Sequence, residues 1–592
     1  MKGHSISLLF YLYLSLLLYF SLLRDVKASD EAQNNGVYVV YMGAATSQNG
    51  FAARLSKEEA NSIAQRLGVV SVFPDLLLKL HTTGSWDFLK YQTDLETGIW
   101  LESPSFTDKG MGPIPSWWKG TCMEGEDFTS SHCNRKVIGA RYYNEVDDES
   151  DRMPRDRVGH GTHVASTAAG IPIPSASYYG LPRGTAKGGS PGSRIAVYRV
   201  CDTRSCPGSA ILAAFDDANA DGVDVLSVSL GTEASDEIGL WSSVIAIGSF
   251  HAVEKGITVV CSGGNDGPMP GTLANIAPWI LTVAATTTDR DFVSDVVLVN
   301  SRVIKGGGIH FGNLQKDPIY PLIYGMDAKS SGEGFVTYDD DDSRNCKPPA
   351  LEGNKIKGKD HYDDARAVAS TYGTSPISII TEDDGTELLL YIHSSRNPVA
   401  TILPTVTVTQ YKPAPILAAF SSRGPAFELK QLLKARSSLI LQHQELTFSR
   451  LGQETTRQRR SRTRTHRCFI PLSGTSMSCP HIAGIAAAVK SQYPTWSPSG
   501  IKSAIMTTGF QIRQAYEVSK TLLQKLILQQ QLNRKDADSI SLLTHDKRLS
   551  FPQASQTNNM KGPITTALES VATPYDYGAG EVTTTGPTGL NI

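Results

Sequence analysis

The stretch Ser473-Gly474-Thr475-Ser476-Met477-Ser478-Cys479-Pro480-His481, followed by a run of small and apolar residues over 482–489, decides the fold. Gly474 allows a sharp turn before Ser476, and Pro480 is typical of a first helical turn, so we expect Ser476 to project from a helix N-terminus. The free N–H groups and the dipole of such a terminus favour a developing negative charge. Because serine is also a favoured helix cap, this stretch alone leaves both a cap and a nucleophile open.

The N-terminal residues have the pattern of a secretory signal. Lys2 precedes an apolar run over 6–23, and Val26-Lys27-Ala28 places small residues where a signal peptidase needs them. A single membrane anchor is the alternative, since the apolar run is long for a signal peptide. Because polar sequence follows and no second apolar span appears, we predict cleavage after Ala28, secretion, and no membrane association afterwards.

Charge and cysteine usage fit an exported globular protein. The 592 residues carry a formal net charge of -2, which argues against nucleic acid as the main partner. Eight cysteines are present, and export makes disulfides plausible. Cys261 and Cys479 lie in apolar runs and are predicted to be packed thiols. Two other pairs flank short polar loops and are predicted to close small rings, with buried free thiols as the alternative: Cys122 with Cys133, and Cys201 with Cys206.

The order of predicted elements indicates an α/β protein preceded by a small α+β unit. That first unit has strands at 36–42 and 69–73 and a helix capped by Ser56. From residue 136 onwards, apolar strands alternate with helices, which predicts a parallel sheet covered by helices on both faces and a ligand site at the carboxyl ends of its strands. The strands of this part are predicted at 194–200, 223–230, 257–261 and 279–284, and the helices at 209–220 and 238–255.

Three segments depart from this alternation. Residues 309–417 are Pro-rich and strand-poor, and their acidic run 339–342 is interpreted as a solvated loop rather than a cation site. Residues 426–470 are strongly basic and contain no aromatic residues between the arginines, so we interpret them as a disordered or poorly fitted loop rather than a nucleic-acid site. The Gln/Leu-rich pattern within 510–556 is predicted to be helical and to cover the protein's own surface, with a partner protein as the alternative.

Two further motifs supply possible partners for Ser476. In Gly159-His160-Gly161-Thr162-His163, glycines on both sides of His160 allow close backbone approach, and small residues follow on a helix that can pack beside Ser476. A histidine so placed is suited to act as a general base for a serine nucleophile. In Ser262-Gly263-Gly264-Asn265, directly after a strand, the motif is either a plain turn or places the Asn265 amide to donate to an oxyanion.

Taken together, these three motifs resemble those of the subtilisin-like serine proteases, and the surrounding sequence is similar to the plant subtilases. The resemblance implies a subtilisin-like fold in which Ser476 is the nucleophile, His160 the general base and Asn265 the oxyanion donor. It also implies two binding walls for an extended peptide or protein substrate. The first is an edge that pairs with the substrate, formed by Ser229, Leu230 and Gly231, and the second is a pocket wall formed by Ser262, Gly263 and Gly264.

The resemblance also implies a domain organisation. After the signal peptide 1–28, residues 29–81 match a truncated inhibitor-like prodomain, cleaved at His81–Thr82 and acting as the chain's own inhibitor. The catalytic domain is expected at 82–308 and 418–592, with the atypical segments 426–470 and 510–556, and is interrupted by a reduced protease-associated insertion at 309–417. We expect no C-terminal fibronectin-like domain, no cofactor and no metal site.

One departure from the family falls on the catalytic acid. Where the family has Asp-Thr-Gly-Ile-Trp, this chain has Glu96-Thr97-Gly98-Ile99-Trp100. Glutamate keeps the charge that stabilises a protonated histidine, but its extra methylene displaces the carboxylate, and Asp94 on the same strand face is the alternative partner. Together with a shortened prodomain and the basic segment before Leu472, this substitution indicates a shortened and rearranged copy of a plant subtilase.

Three hypotheses therefore follow from the sequence. The first is a secreted serine endopeptidase of the apoplast or cell wall, using Ser476, His160, Glu96 and Asn265. The second is a non-catalytic protein that keeps the peptide groove but cannot turn over. The third is a truncated product without a stable fold.

Overall fold

The computed structural model describes most of the chain outside its N-terminus and two long segments near the C-terminus. The described residues are 35–43, 50–80, 98–125, 127–143, 152–156, 159–178, 180–201, 205–232, 239–310, 314, 319–324, 327, 361–362, 372–373, 378–425, 439–443, 472–507, 554–555, 557–567, 570–573, 576 and 581–582. The predicted signal peptide, the acidic run 339–342 and nearly all of the two atypical segments lie outside them.

The N-terminal unit is a three-stranded antiparallel sheet with one helix, in the order β2-β1-β3. The predicted cap of the helix is confirmed, because Ser56 Oγ accepts the N–H of Glu59 at 3.2 Å and Glu59 Oε2 accepts the N–H of Ser56 at 2.8 Å. A fourth strand follows in the chain but belongs to a different sheet. Its elements are β1 Asn35–Tyr41, β2 Gly50–Ser56, α1 Lys57–Ala64, β3 Ser71–Pro74 and β4 Leu77–Leu80.

The next part alternates strands and helices, and the elements predicted there are confirmed to within a few residues, apart from a later start of the second long helix. Gly222 ends one helix in the left-handed conformation, with φ of 88°. The elements are short 3₁₀ turns at Pro104–Phe106 and Ser130–His132, β5 Val137–Tyr142, α2 His160–Ala169, β6 Ile173–Tyr178, β7 Leu181–Ala186, β8 Ile195–Arg199, β9 Cys206–Pro207, α3 Gly208–Asp221, β10 Val225–Val228, β11 Leu230–Gly231, α4 Val244–Glu254, β12 Thr258–Ser262 and β13 Leu281–Thr286.

The described residues between 290 and 409 form small sheets outside the alternating part. The segment is richer in strands than the sequence indicated, and strands before residue 309 pair with strands after 398, across the predicted domain boundary. Its elements are β14 Arg290–Val293, β15 Val296–Leu298, β16 Val303–Ile304, β17 Ile309–His310, β18 Tyr320–Pro321, β19 His361–Tyr362, β20 Tyr372–Gly373, β21 Ile379–Ile380, α5 Glu382–Ser394, β22 Val399–Ile402 and β23 Val406–Thr409.

The last part completes the central sheet, whose main path runs β10-β12-β13-β25-β28-β26 among the described residues. Strand β25 lies inside the basic segment 426–470 and pairs in parallel with β13 from Thr282↔Leu439 to Thr286↔His443. Our interpretation of that whole segment as a disordered loop is therefore wrong for 439–443. The elements are β24 Ile416–Leu417, β25 Leu439–His443, α6 Thr475–Gln492, α7 Pro498–Thr507, β26 Ala554–Ser555, β27 Thr565–Thr566 and β28 Glu581–Val582.

Helices cover both faces of the central sheet, as predicted. Along β12, Val259 and Cys261 belong to the buried cluster of α3 and α4, whereas Val260 belongs to the cluster of α6. Since successive residues of a strand point to opposite faces, α6 lies on the other side of the sheet from α3 and α4. The predicted disulfides Cys122–Cys133 and Cys201–Cys206 are both formed.

Candidate active site

The helices that carry His160 and Ser476 pack against each other and run in the same direction. Near the start of both helices, Val164 of α2 packs against Leu472 and Met477. Further along, a Cβ on Gly484 of α6 would lie 2.7 Å from the backbone oxygen of Ala168. Because the contacts advance together along both helices, their N-termini lie at the same end of the pair.

Ser476 is the second residue of α6 and is completely buried. The residue before the helix, Gly474, has φ of 149° and ψ of 157°, a conformation that is essentially restricted to glycine. Gly474 has no side chain to cap the helix, so the N–H of Thr475 is accepted by Asn265 Oδ1 and that of Met477 by the backbone oxygen of Gly474. The Ser476 hydroxyl donates to the backbone oxygen of Ser229 at 2.9 Å, at the end of β10.

Pro480 lies in the second turn of α6, not in the first turn where the sequence analysis placed it. A proline has no N–H, so the backbone oxygen of Ser476 lacks its usual partner four residues later. The Ser229 hydroxyl donates to that oxygen at 3.0 Å. Ser229 and Ser476 are thus joined in both directions, each side chain to the other backbone.

Asn265 is held beside the start of α6 by Thr475. Its Oδ1 accepts both the N–H and the hydroxyl of Thr475, each at 2.9 Å. A backbone N–H can only donate, which fixes Oδ1 on that side and Nδ2 on the other. Within the described part of the chain, Nδ2 is buried and has no hydrogen-bond partner. A buried amide donor without an acceptor is suited to an oxygen that becomes charged during a reaction.

The start of α2 is closed by a carboxylate that the sequence analysis gave no role. Asp156 is buried, and its Oδ1 accepts the N–H of Gly159 at 2.6 Å. Its Oδ2 accepts the N–H and the hydroxyl of Thr162, at 2.7 and 2.5 Å. His160, the first residue of the helix, is 1% exposed. Asp156 therefore fixes the turn of backbone that carries His160.

The segment that follows Glu96 lies directly against this helix start. A Cβ on Gly161 would lie 2.2 Å from the backbone oxygen of Gly98, so the two backbones touch. The N–H of Trp100 donates to the Thr162 hydroxyl at 2.9 Å. Glu96 itself and its alternative Asp94 lie outside the described residues.

A second asparagine, which the sequence analysis missed, joins the two predicted binding walls. Asn275 Nδ2 donates to the backbone oxygen of Leu230 at 3.0 Å and to that of Ser262 at 2.8 Å. The neighbouring Gly263 is anchored to the sheet through its N–H to Val283 at 2.8 Å. The sequence gives only a weak indication of the role of Asn275, because an asparagine in a loop is ordinarily a turn residue.

The predicted substrate edge already carries a strand of the same chain. β4 pairs antiparallel with β11, with Leu80 opposite Leu230 and Lys79 opposite Gly231. Ser229, whose backbone oxygen accepts the Ser476 hydroxyl, directly precedes Leu230 in the chain. The predicted processing residues His81 and Thr82 themselves lie outside the described part of the chain.

The N-terminal unit makes additional contacts with the catalytic part. The Asp75 carboxylate accepts the N–H and the hydroxyl of Ser209, at 2.9 and 2.5 Å, and so caps α3. The Tyr41 hydroxyl lies 2.9 Å from His251 Nε2 on α4. Val39 and Phe73 belong to the same buried cluster as α3 and α4, so the unit shares a core with the part that it covers.

The two free cysteines are packed thiols, as predicted. Cys261 and Cys479 are buried and unpaired with any other cysteine of the described chain. Burial raises the pKa of Cys479 to about 11 and that of Cys261 well above its usual value. Both thiols are therefore neutral at physiological pH and are not nucleophiles.

Neither a metal site nor a membrane span is found in the part of the chain that the structure describes. No group of three or more His, Cys, Asp and Glu side chains there is arranged to hold a metal ion. No helix within those residues has both the length and the apolar character needed to cross a bilayer.

A parallel sheet between helices, with a strand of the N-terminal unit paired to the edge Leu230–Gly231, is the arrangement of a subtilisin-like protein with a linked inhibitor. A family model described as "Subtilase family" matches residues 95–536, and one described as "Peptidase inhibitor I9" matches residues 16–81. The chain therefore belongs to the subtilase family of serine proteases, and the predicted family and fold class are confirmed.

Curated relatives from Arabidopsis thaliana cover most of the chain. "CO(2)-response secreted protease" is 45% identical over 93% of this chain and 75% of its own length. "Subtilisin-like protease SBT5.1" is 39% identical over 95% of this chain and 76% of its own length. Among solved structures, "Sphericase" gives a TM-score of 0.29 at 18% identity, over 60% of this chain and 70% of that one, which is too low to support an argument.

Proposed function

We propose that this subtilase is a secreted serine endopeptidase in which Ser476, His160, Glu96 and Asn265 perform the chemistry. The observation that carries the proposal is β4, an extended segment already bound antiparallel along Leu230–Gly231. Strand addition to a sheet edge is how a protein binds a peptide regardless of most of its sequence. β4 ends one residue before the proposed processing bond His81–Thr82.

The contacts of Ser476 and Asn265 support a two-step acyl transfer. His160 takes the proton of the Ser476 hydroxyl as Oγ attacks the peptide carbonyl, and the resulting oxyanion accepts hydrogen bonds from Asn265 Nδ2 and from the backbone N–H of Ser476. His160 then gives its proton to the leaving amine, and water repeats the sequence on the acyl-enzyme. Thr475 holds the amide in place, so little reorganisation accompanies the charge.

Glu96 is proposed as the acid that orients His160. Gly98, two residues after Glu96 in the chain, is fixed against Gly161, next to His160. The glutamate keeps the charge of the family's aspartate, but its carboxylate lies one methylene further from the backbone. A misplacement of about 1 Å costs on the order of a hundredfold in rate, so we propose an impaired enzyme.

Processing at His81–Thr82 follows from the same register. Leu80 is the last paired residue of β4 and lies opposite Leu230, the residue after Ser229, so we propose the second bond beyond the paired stretch, His81–Thr82, as the one that Ser476 attacks. Residues 29–81 then act as a chaperone and as an inhibitor that occupies the groove until it is released. Asp75 and the shared core bind this segment independently of the groove.

Secretion is supported by the N-terminal signal pattern and by two disulfides, because disulfides persist in oxidising compartments. One relative is itself named a secreted protease. We place the protein in the apoplast or cell wall and assign residues 309–417 to a reduced protease-associated insertion. Detection of the processed chain in medium, with an N-terminus at Thr82, tests both the export and the processing step.

A fluorophosphonate probe tests the enzyme directly. It forms a bond only with an activated serine, so we expect it to label Ser476 in the folded, secreted chain and to leave the Ser476→Ala chain unlabelled. The unprocessed chain should react more slowly, because β4 covers the groove. Absence of labelling in a processed chain that unfolds cooperatively would reject an active enzyme.

The second candidate is a peptide-binding protein without turnover, and the glutamate at position 96 favours it. In that case extended peptides bind to the processed chain but are not hydrolysed. Glu96→Asp discriminates between the candidates, because it should raise kcat by about 10- to 100-fold in an impaired enzyme. Binding without hydrolysis in both chains would support the second candidate, with Glu96→Gln as the control that removes the charge.

A further inference from the structure

Asn265 is flanked on both sides by contacts with one serine from a distant segment. The backbone N–H of Ser422 donates to the backbone oxygen of Gly264 at 3.0 Å, directly before Asn265. The hydroxyl of Ser422 accepts the N–H of Asp266 at 3.1 Å, directly after Asn265. Ser422 is completely buried and lies 156 residues after Asp266, so one distant residue spans the loop that carries the amide.

The loop that carries Asn265 fits closely against this segment. Gly264 has φ of 101°, and a Cβ there would lie 2.7 Å from Ser422 Oγ. A Cβ on Gly267 would collide with the backbone oxygen of Ser421. Glycine allows the close approach at both ends of the loop, so the backbone on either side of Asn265 rests directly on the serine segment.

The segment that carries Ser422 is itself fixed from the other side. The guanidinium of Arg423, which is 3% exposed, donates to the backbone oxygens of Ser421 and Ala418, the latter at 3.1 Å. Its Nε lies 3.2 Å from Asp576 Oδ1. A buried guanidinium bound to two backbone oxygens and a carboxylate holds a segment in one conformation, so Ser422 is in place before a substrate binds.

We propose that Ser422 is a positioning residue for the oxyanion donor. Its N–H and its hydroxyl hold the backbone on both sides of Asn265, while Thr475 holds the side-chain oxygen of Asn265, so that Nδ2 keeps a fixed place. This inference rests on the proposed function, since it concerns the same oxyanion donor. Ser422 acts through Asn265 and not on the substrate, so it affects the chemical step and not substrate binding.

The test is a double-mutant cycle on the full-length protein, with every variant processed by a tagged, unsubstituted protein that is then removed. The substrate is a peptide with the sequence of residues 77–86, which spans the proposed processing bond. Ser422→Ala removes the acceptor of the Asp266 N–H, and we expect kcat to fall about tenfold with KM unchanged, since a displacement of a fraction of 1 Å suffices for such a loss. In the Asn265→Ala background no amide remains to be positioned, so the same substitution should lower kcat by less than about twofold.

Two outcomes of this cycle would overturn the inference. One is an equal loss in both backgrounds, because the serine would then act independently of Asn265. The other is an unchanged kcat in the single variant Ser422→Ala. If Ser422→Ala does not unfold cooperatively, Ser422→Cys replaces it, since a thiol has a similar shape and is a weaker acceptor, and the same two outcomes apply.

The neighbouring serine provides a matched control. Ser421 is equally buried, but its hydroxyl accepts the N–H of Ala285 in the central sheet, at 3.1 Å, instead of a group in the loop. Ser421→Ala deletes the same hydroxyl one residue away and should change kcat by less than about twofold in either background. A tenfold loss in Ser421→Ala as well would overturn the inference, because any disturbance of the segment would then have the same effect.

Failure of the proposed function is distinguishable from failure of this inference. If the unsubstituted protein neither hydrolyses the peptide nor reacts with a fluorophosphonate, the proposed enzyme is contradicted, and hydrogen exchange on the uncleaved Ser476→Ala chain decides whether Ser422 holds the loop. There, Ser422→Ala should speed exchange of the Asp266 N–H about tenfold or more, whereas Ser421→Ala should speed that of Ala285 and leave Asp266 unchanged. Unchanged exchange of Asp266 in Ser422→Ala would overturn the inference.

Discussion

The two helices that meet at the site begin in opposite ways. At the start of α2 a buried carboxylate, Asp156, accepts three hydrogen bonds and closes the helix end. At the start of α6, Gly474 has no side chain and only a neutral amide oxygen, Asn265 Oδ1, accepts the N–H of Thr475, while Asn265 Nδ2 is buried without a partner. The same structural element, a helix N-terminus, is thus neutralised in one case and kept available in the other.

This difference separates positioning from charge stabilisation. A helix N-terminus carries a partial positive charge, and a negatively charged acceptor that is already bound there compensates this charge. Asp156 uses it to fix the backbone around His160, which needs a defined orientation. In the proposed mechanism, the start of α6 keeps it for an oxygen that becomes negative only during the reaction.

Removing the unpaired donor is expected to have the largest effect. Asn265→Ala should lower kcat by about 10²–10³-fold, the range established for the equivalent donor in subtilisin, while KM changes little. Thr475→Val is the matched control: it removes one of the two bonds that hold Oδ1 and keeps the donor, so a loss nearer tenfold is expected. Equal losses in both variants would indicate that Asn265 acts only as a structural residue.

The contact between Gly161 and Gly98, next to His160, tests the closed start of α2. In Gly161→Ala the new Cβ would lie 2.2 Å from the oxygen of Gly98, so the segment that carries Glu96 must move. We expect kcat to fall by about a hundredfold, in line with a displacement near 1 Å. Gly484→Ala introduces a similar clash with Ala168, two turns further along the helices, and should lower the melting temperature with a smaller effect on kcat.

The carboxylate cap contributes to stability more than to chemistry. Asp156→Ala leaves two buried backbone N–H groups without an acceptor and should lower the free energy of unfolding by about 2–3 kcal/mol. Asp156→Asn keeps one acceptor oxygen and should lose about half as much. Denaturant unfolding of the Ser476→Ala chain measures both without self-cleavage. A loss below about 0.5 kcal/mol in Asp156→Ala would contradict the role of the cap.

Local signals in the sequence predicted most elements correctly. Ser56 predicted a capped helix, which is found with Glu59 completing the cap, and the helix predicted at 209–220 ends at Gly222. The two short cysteine spacings also predicted their disulfides. These features depend on residues close together in the chain, so a single sequence contains the information that forms them.

Contacts between distant segments were harder to predict from the sequence. The central-sheet position of 439–443 depends on a pairing with β13, more than 150 residues earlier. The basic residues around it indicated a disordered or poorly fitted loop instead. The role of Asn275 depends on two backbone oxygens, 13 and 45 residues away. Polar side chains in loops usually form local turns, so nothing near Asn275 distinguishes it. In both cases the tertiary partner, not the local sequence, determines the structure.

The smallest expected effect concerns the bond that Pro480 makes possible. Ser229→Ala removes the donor to the backbone oxygen of Ser476. Because Pro480 has no N–H, that buried oxygen then has no partner, and the free energy of unfolding should fall by about 1–2 kcal/mol. Pro480→Ala supplies an N–H four residues later, so Ser229→Ala should be milder by about 1 kcal/mol in that background. Denaturant unfolding of the two single variants and the double variant, all carrying Ser476→Ala or all with Ser476 inhibited, measures this coupling. Additive effects within about 0.3 kcal/mol would show that the proline and the Ser229 hydroxyl act independently, and that the open end of α6 does not rely on Ser229.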